Sequence, residues 1–570
     1  MRNKIFSLFL GFIFLLIIFG LFNLQIIHGR NFKALSQKNC IRLITQPGAR
    51  GRILDRHGQV VIDSRLSYDL LILPDEEGRI DKVLHAIAGV VGVAYSGLKD
   101  EFIKGYLSPS IPVTIVRNID MKKAIALEEL KPNLANIVIQ PHPLRDYPYA
   151  SLACHVIGYL NEIDRWRLTK LADYGYKTKD IVGFGGIEEK YDYYLRQEEG
   201  ALSVEVDHQG RFTRVVGFRP PKNGRDVQLT LDLRFQKIVE DSLGLRRGSV
   251  VIMDPFTGEI IAMASFPGFS PVAFLNKSSG YISKLFNNPG APLLNRSISG
   301  VFPAGSIFKV VVSVAALETG KINLSTSFLC TGSTYVGRQE FSCWDKHGRQ
   351  GLLSAIAHSC NTFFYKTGIL LGAQNIHDYA LKFGLSKPTG IDLPYESSGF
   401  VPSPLWRRLS QFRNWFDGDT ANLAIGQGDL LVTPIQMARM MAVFANNGWL
   451  VSPYMVKSVA GQNIEHEQRR LGKISLKQAT INYIKQGLRQ VVSDPSGTGN
   501  ILLSLPLGIA GKTGTVQVAQ GQPHGWFVGF FPFNSPKFVI CVFLEHSGSG
   551  YMSCKLTKQI LEMLKQKGLL

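Results

Sequence analysis

Ser306 and Lys309 stand three residues apart in Pro303-Ala304-Gly305-Ser306-Ile307-Phe308-Lys309, which runs on into Val310-Val311-Val312. Pro and Gly let the chain turn ahead of the serine. From Ser306 through Leu317 the residues predict a largely buried helix, stopped by Gly320. Positions three apart share a helix face. A lysine in such an apolar setting loses solvation, its pKa falls, and the neutral amine can take the serine proton. The chemistry indicated is nucleophilic catalysis, with serine as nucleophile and lysine as base. Spacing alone is a weak signal: Ser96-Gly97-Leu98-Lys99 repeats it and reads as a surface coincidence.

Two later stretches supply partners. Ser359-Cys360-Asn361 precedes the apolar Thr362-Phe363-Phe364-Tyr365. In a short extended segment residues two apart point the same way, so Ser359 and Asn361 face a cleft while Cys360 faces backwards. Lys512-Thr513-Gly514-Thr515 reads as a β segment whose backbone can pair with an extended peptide, with Gly514 allowing close approach. Lys512 supplies positive charge for a substrate carboxylate. Lys387-Pro388-Thr389-Gly390 shows how readily near-copies arise; the three stretches in this order carry the signal together. A second constellation is Cys330, Cys343, His347 and Cys360, three soft thiolates and an imidazole that suit one tetrahedral structural zinc. The alternative is a Cys330–Cys343 disulfide with Cys360 free and buried. His155 reads as a hydrogen-bonded structural histidine.

These residues need elements to hold them. The 570 residues are too many for one core and indicate about three or four domains. With 45% hydrophobic and 19% charged residues the chain is globular, which excludes disordered and fibrous classes. The net charge is +19, yet Lys and Arg are scattered, with no basic run and no arginine-rich arm. That pattern fits a surface facing anionic lipid or polymer and speaks against nucleic acid as partner. Arg2 and Lys4 precede an apolar run from Ile5 to Ile27, about 23 residues or roughly 35 Å of helix, enough to cross a bilayer. The run is too long for a cleaved signal, and Ile26-Ile27-His28-Gly29-Arg30 offers no small-x-small cleavage site. The basic tip keeps the amino end inside. The expectation is a single-pass anchor, residues 1–28, in the cytoplasmic membrane, with all that follows in the periplasm or cell exterior. Seven cysteines on such an exported chain cannot form a complete disulfide framework.

Residues 29–225 group no nucleophile, base and oxyanion donor, and read as a support domain. It holds a hairpin around Asp55-Arg56-His57-Gly58, a helix from Met121 to Leu130, and a stretch from Gly183 to Leu195 that ends in a helix. From 226 to 570 strands stand at both ends with helices between. Asp226–Asp232 leads into the helix Leu233–Leu243, and two buried strands flank Pro255-Phe256-Thr257. Trp526–Phe531 and Phe538–Leu544 are two more strands, and a helix from Leu556 to Lys567 closes the chain. The fold class expected is α+β with one central sheet.

Ser306-x-x-Lys309, Ser359-x-Asn361 and Lys512-Thr513-Gly514 form a motif set shared by penicillin-binding proteins and serine β-lactamases. The chain resembles the class B penicillin-binding proteins well beyond it. The resemblance is carried by Arg50-Gly51-x-x-x-Asp55-Arg56-x-Gly58, Arg145-x-Tyr147-Pro148, Gly186-Ile187-Glu188 with Tyr191, and Asp254-Pro255-x-Thr257-Gly258. Trp415 with Gly418-Asp419-Thr420, Ile425-Gly426-Gln427-Gly428, Thr433-Pro434 and His524-x-Trp526-Phe527-Val528-Gly529 extend it. The Trp/Gly-Asp-Thr segment and the length point to the penicillin-binding protein 2 branch, which serves cell elongation; the septal branch is the nearer alternative. The resemblance implies an elongated pedestal and a transpeptidase domain with a central antiparallel sheet flanked by helices. It implies a D,D-transpeptidase in which Ser306 is acylated by a stem peptide ending in D-Ala-D-Ala, with either Lys309 or the Ser359–Lys512 pair as the working base. Ser359 would relay the proton, Asn361 hold the donor amide, and Lys512, Thr513 and Thr515 bind the terminal carboxylate. The backbone N–H groups of Ser306 and Thr515 would form the oxyanion hole. β-Lactams would acylate Ser306 and stay. Partners implied are peptidoglycan stem peptides and lipid-linked precursor strands, a SEDS-family glycosyltransferase and rod-shape scaffold proteins. Some elongation-type members hold zinc beside the site, with Asp where Cys330 and Cys343 stand here. A serine β-lactamase would need a residue to activate a deacylating water, and none stands out. A non-catalytic β-lactam sensor would need several spans and a cytoplasmic signalling part.

Overall fold

The computed structural model describes residues 2–33, 41–74, 77–106, 112–132, 134, 136–206, 212–464 and 470–570; Cys40 lies outside them. Among the described residues one helix, Lys4–Ile27, is long and apolar enough to cross a membrane. Its large apolar side chains, Ile5 to Ile27, stay exposed, an arrangement that water opposes and lipid permits. The chain otherwise forms two compact units that interleave along the sequence. Residues 1–51, 63–146 and 196–225 make one, and 52–62, 147–195 and 226–570 the other.

In the first unit, Asp63–Ile72 pairs antiparallel with Ile137–Asp146. Helices pack over this pair around the fully buried Leu70, Ile72, Leu84, Ile87 and Leu127. The helix Met121–Leu130 spans the residues expected, and Asp120 caps it by accepting from Lys123 N at 2.9 Å. A separate three-stranded sheet joins Ile41–Gln46, Gly200–Val206 and Phe212–Arg219. Ser96 and Lys99 fall on the helix Tyr95–Gly105, where Lys99 is 45% exposed and pairs with Asp81 at 3.2 Å. That is a surface pair.

The second unit is built on a five-stranded antiparallel sheet. Its strands are β1 (Gly248–Met253), β2 (Ile260–Phe266), β3 (Ala510–Val516), β4 (His524–Phe531) and β5 (Phe538–Leu544), in the order β2-β1-β5-β4-β3. Alternation sorts the side chains between two cores. Val250, Ile252, Phe527, Phe531, Ile540 and Val542 face α1 (Leu233–Leu243) and the C-terminal helix Gly550–Gln566. Val251, Met253, Trp526, Val528, Val539, Cys541 and Phe543 face a larger helical layer with α2 (Lys309–Glu318), α3 (Asn361–Leu371) and α4 (Pro434–Ala445). Each such side chain, fully out of water, stabilises the unit by about 1.5–3 kcal/mol. The turn between β1 and β2 is set by Asp254, whose Oδ1 accepts from Phe256 N at 2.7 Å and Thr257 N at 3.1 Å.

Three expectations shift. The strand from Asp226 is short, Val227–Leu229, because Asp232 is taken as the cap of α1 and accepts from Arg234 N. Gly183–Leu195 divides into a strand, Ile181–Phe184, and two short helices, since the strand pairs with Tyr159–Glu162. The closing helix starts at Gly550, six residues early, where Gly550 N donates to Thr515 Oγ1 at 3.0 Å. His155 is buried, with Nε2 at 2.8 Å from Pro292 O, the structural role expected.

Candidate active site

Ser306 does not open an α-helix. It sits in a 3₁₀ turn, Gly305–Phe308, and α2 begins at Lys309. The turn is fixed by two interlocked glycines. Gly305 has φ +54° and donates its N–H to Gly426 O at 2.8 Å; Gly426 has φ +76° and lies so close that a Cβ there would be 2.0 Å from Gly305 O. Only glycine satisfies both the left-handed backbone and the approach. Trp526, fully buried, donates Nε1–H to Pro303 O at 3.2 Å and holds the entry to the turn. Ser306 is left half-buried at a cleft of about 430 Å³, which Ser359, Asn361, Thr513 and Thr515 also line.

Lys309 is fully buried at the start of α2, three residues past the serine. Its Nζ meets three acceptors of the second motif: Ser359 O at 2.7 Å, Asn361 Oδ1 at 2.7 Å and Ser359 Oγ at 3.3 Å. Ser359 and Asn361 thus face one way, as expected, but not through an extended segment. Ser359 is left-handed at φ +54°, Cys360 caps α3, and Asn361 is its first residue. The third motif lies on β3, the free edge of the sheet, with Gly514 opposite Trp526 and Lys512 opposite Val528. Thr513 and Thr515 reach the cleft, and Thr513 Oγ1 donates to Thr498 Oγ1 at 2.7 Å. Lys512 lies under the floor, fully buried, its Nζ at 3.1 Å from Thr513 O.

Behind α3, Cys330, Cys343, His347 and Cys360 bring one ligand atom each within 4.8 Å of one another, a group able to hold a metal ion. His347 Nδ1 lies 3.6 Å from Cys330 Sγ and 3.5 Å from Cys343 Sγ, and all three cysteines are free thiols. Cys343 Sγ also accepts from Asn361 N at 3.2 Å, which ties the cluster to the cleft.

Residues 248–564 match the family "Penicillin binding protein transpeptidase domain", and residues 45–229 match "Penicillin-binding Protein dimerisation domain". The chain belongs to the penicillin-binding proteins. This penicillin-binding protein is 32% identical to the peptidoglycan D,D-transpeptidase MrdA of Escherichia coli K12, over 97% of its own length and 92% of the relative's. Among solved structures it resembles the penicillin-binding protein PBP2 of Helicobacter pylori in complex with MreC. The TM-score is 0.81 and the identity 26%, covering 93% of this chain and 99% of that one. A structure titled for polymerisation and crosslinking by a peptidoglycan synthase complex gives a TM-score of 0.75 and 28% identity, covering 99% and 98% of the two chains.

Burial sets the electrostatics of this penicillin-binding protein's cleft. Loss of solvent pulls Lys309 down to about 7, against the opposing pull of the Cys343 and Cys360 sulfurs. Lys512 is lowered well below its ordinary value, first by burial and then by Lys309. Burial therefore disfavours the fixed positive charge expected of Lys512. In the cluster, a hydrogen bond from Cys360 pulls the Cys343 thiol down to about 3 and pushes Cys360 up.

Other lining residues escape sequence reasoning. Trp344 donates Nε1–H to His358 O at 3.1 Å and Ser359 O at 3.3 Å, clamping the left-handed turn. Thr498, Gln517 and Tyr551 also line the cleft. The one available signal was the turn-rich Pro495-Ser496-Gly497-Thr498-Gly499 ahead of the third motif.

Proposed function

We propose that this chain is a serine D,D-transpeptidase that cross-links peptidoglycan stem peptides during cell elongation and rod-shape maintenance. One observation carries the proposal: a half-buried serine shares a cleft with the Ser359/Asn361 turn and an open sheet edge, and a fully buried lysine is hydrogen-bonded to that turn. An extended donor peptide adds to the edge of β3 as a further strand. Neutral Lys309 takes the Ser306 proton as Oγ attacks the carbonyl of the penultimate D-Ala, and the N–H groups of Ser306 and Thr515 receive the developing oxyanion. D-Ala leaves as the amine, protonated through Ser359, while Asn361 holds the donor amide. The donor carboxylate lies against Thr513 and Thr515, and its negative charge favours the ammonium form of Lys512 beneath them. An amine from a neighbouring stem peptide then takes the acyl group and frees Ser306.

Family matches that stop at 229 and resume at 248 support a pedestal over 29–225 and a transpeptidase domain over 226–570. The apolar helix supports an anchor over 1–28. With Arg2 and Lys4 cytoplasmic, the cleft lies in the periplasm or cell exterior. Relatives seen with MreC and in a peptidoglycan synthase complex support a rod-shape scaffold protein and a SEDS-family glycosyltransferase as partners, and lipid-linked strands as substrate. The deciding experiment incubates the protein with a labelled penicillin. A long-lived adduct on Ser306, absent in Ser306→Ala, is the expected result. Rapid hydrolysis would assign a β-lactamase, and absence of label would refute the site.

The cluster behind α3 fits one structural zinc. Zinc bound by thiolates at about 2.3 Å and imidazole at about 2.0 Å sets its ligand atoms roughly 3.5–3.8 Å apart, close to the His347–cysteine separations of 3.5 and 3.6 Å. Cys330, Cys343, His347 and Cys360 would hold it, and its contribution is to fix the loop that carries Asn361. Purified protein is expected to contain about one zinc per chain by mass spectrometry of metals, lost in Cys343→Ser. A metal-free preparation with a mapped Cys330–Cys343 bridge would sink the zinc.

A further inference from the structure

Residues between 166 and 193 line a second concavity, about 480 Å³, remote in sequence from all three motifs. Trp166, Tyr174 and Tyr193 line it and are 61%, 66% and 69% exposed. Three large rings this open to water on one small basin are unusual unless something stacks on them. Trp166 and Lys170 stand four apart on the helix Arg165–Leu171, and Lys170 Nζ lies 3.8 Å over the indole. The floor is rigid and polar. Asp192 accepts from the buried Tyr176 hydroxyl at 2.5 Å and from Gly183 N at 2.9 Å. Glu189 accepts from Tyr395 at 2.6 Å and faces Arg167 at 3.4 Å. Both carboxylates lining the basin are thus engaged, while Lys170 and Lys190 are exposed and form no ion pair among the described residues.

We infer that this basin binds an amino-sugar segment of an anionic glycan strand. A pyranose presents C–H faces, which stack on the negative face of an aromatic ring, and O–H edges, which need polar groups between the rings. Trp166, Tyr174 and Tyr193 offer the first, and the floor offers the second. The volume falls in the range of small-ligand sites, about 300–1,000 Å³. Lys170 and Lys190 add charge complementary to carboxylates carried on the sugar. A lipid tail would want a continuous apolar patch, and here Lys170 lies over the Trp166 ring and Lys190 shares the basin. The inference rests on the transpeptidase reading, since the strand would be the one whose peptides enter the cleft; the basin holds the glycan while the cleft handles its peptide.

The test uses full-length protein in detergent with Ser306 blocked by penicillin, so that the cleft is occupied. The probe is soluble, uncross-linked peptidoglycan oligomers bearing stem peptides, titrated by calorimetry, beside the same oligomers stripped of peptide. Saturable binding is expected, weakened at least tenfold by Trp166→Ala and severalfold by the exposed change Lys170→Gln. Stripping the peptides uncaps the carboxylate carried on the sugar, so both the Trp166 effect and the Lys170 effect should persist in the stripped oligomers. Penicillin labelling at wild-type rate certifies that each variant is folded. Absence of binding, or equal affinity in wild type and both variants, overturns the inference. So does loss of rod shape in Trp166→Ala cells with glycan affinity intact, which assigns the basin to a protein partner. Failure of penicillin labelling in the wild type would instead strike the transpeptidase reading itself.

Discussion

Lys309→Met is expected to slow penicillin acylation of Ser306 by about a thousandfold, within the usual contribution of a general base. Methionine fills nearly the same space, so packing around Phe364, whose ring lies 5.3 Å from Nζ, survives. What disappears is the buried amine expected to take the serine proton. Two acceptors, Ser359 O and Asn361 Oδ1, also lose their donor, so the melting temperature should drop by several degrees as well. The wild-type pH profile gives the independent check. With Lys309 held at about 7 by burial, its ammonium form dominates below that pH and cannot accept a proton. Acylation should therefore rise with pH through about 7 and level off above it, and stopped-flow traces with a fluorescent penicillin would show this limb. A flat profile, or a Lys309→Met variant retaining a tenth of the rate, would remove Lys309 from the chemistry.

Gly426→Ala should cost acylation about a hundredfold although residue 426 carries no reacting group. The new methyl would meet Gly305 O at 2.0 Å and Gly305 N at 2.9 Å. Backbone on backbone has no flexible end to yield, so the turn holding Ser306 must move. A displacement of about 1 Å at a nucleophile is enough for a loss of that size. Gly428→Ala separates steric push from backbone strain. It has nearly the same torsion, φ +77°, but its methyl would find only Asn422 Cβ at 3.9 Å. Gly428→Ala should lose stability, about 1–3 kcal/mol for a strained backbone, and keep most of its acylation rate. Equal rates for the two variants would rule out the interlock.

Much of the scaffold was readable because local signals agreed. Leu233–Leu243 and Met121–Leu130 fill the predicted spans, each behind an aspartate cap, and the two strands around Asp254-Pro255-x-Thr257-Gly258 follow from an Asx turn. The three motifs were legible as types and order. Their backbone was not: Ser306 lies in a 3₁₀ turn and Ser359 in a left-handed one, because Gly426 and Trp344 impose those shapes from distant parts of the chain. Lys512 read as an available cation, yet strand β3 points it beneath the floor, where its charge is suppressed. Thr498 and Tyr551 were invisible for the same reason, since only the folded sheet brings them to Ser306.

The placement of β5 carries a further consequence, for synthesis. β1 begins at Gly248, but its inner neighbour β5 ends at Leu544, so Gly248 finds its partner only once Leu544, 296 residues later (544 − 248), has been made. Until then the middle of the catalytic sheet is missing, and β1 and β4 present bare edges that invite mispairing. The turn that carries Ser306, made long before, has no finished wall to stand against. The unit is therefore all-or-none in chain length: a stop codon after Phe531 would remove β5 and the helix Gly550–Gln566, and with them Ser549, Gly550 and Tyr551 of the cleft wall. A chain of this design depends on being shielded through most of its own making.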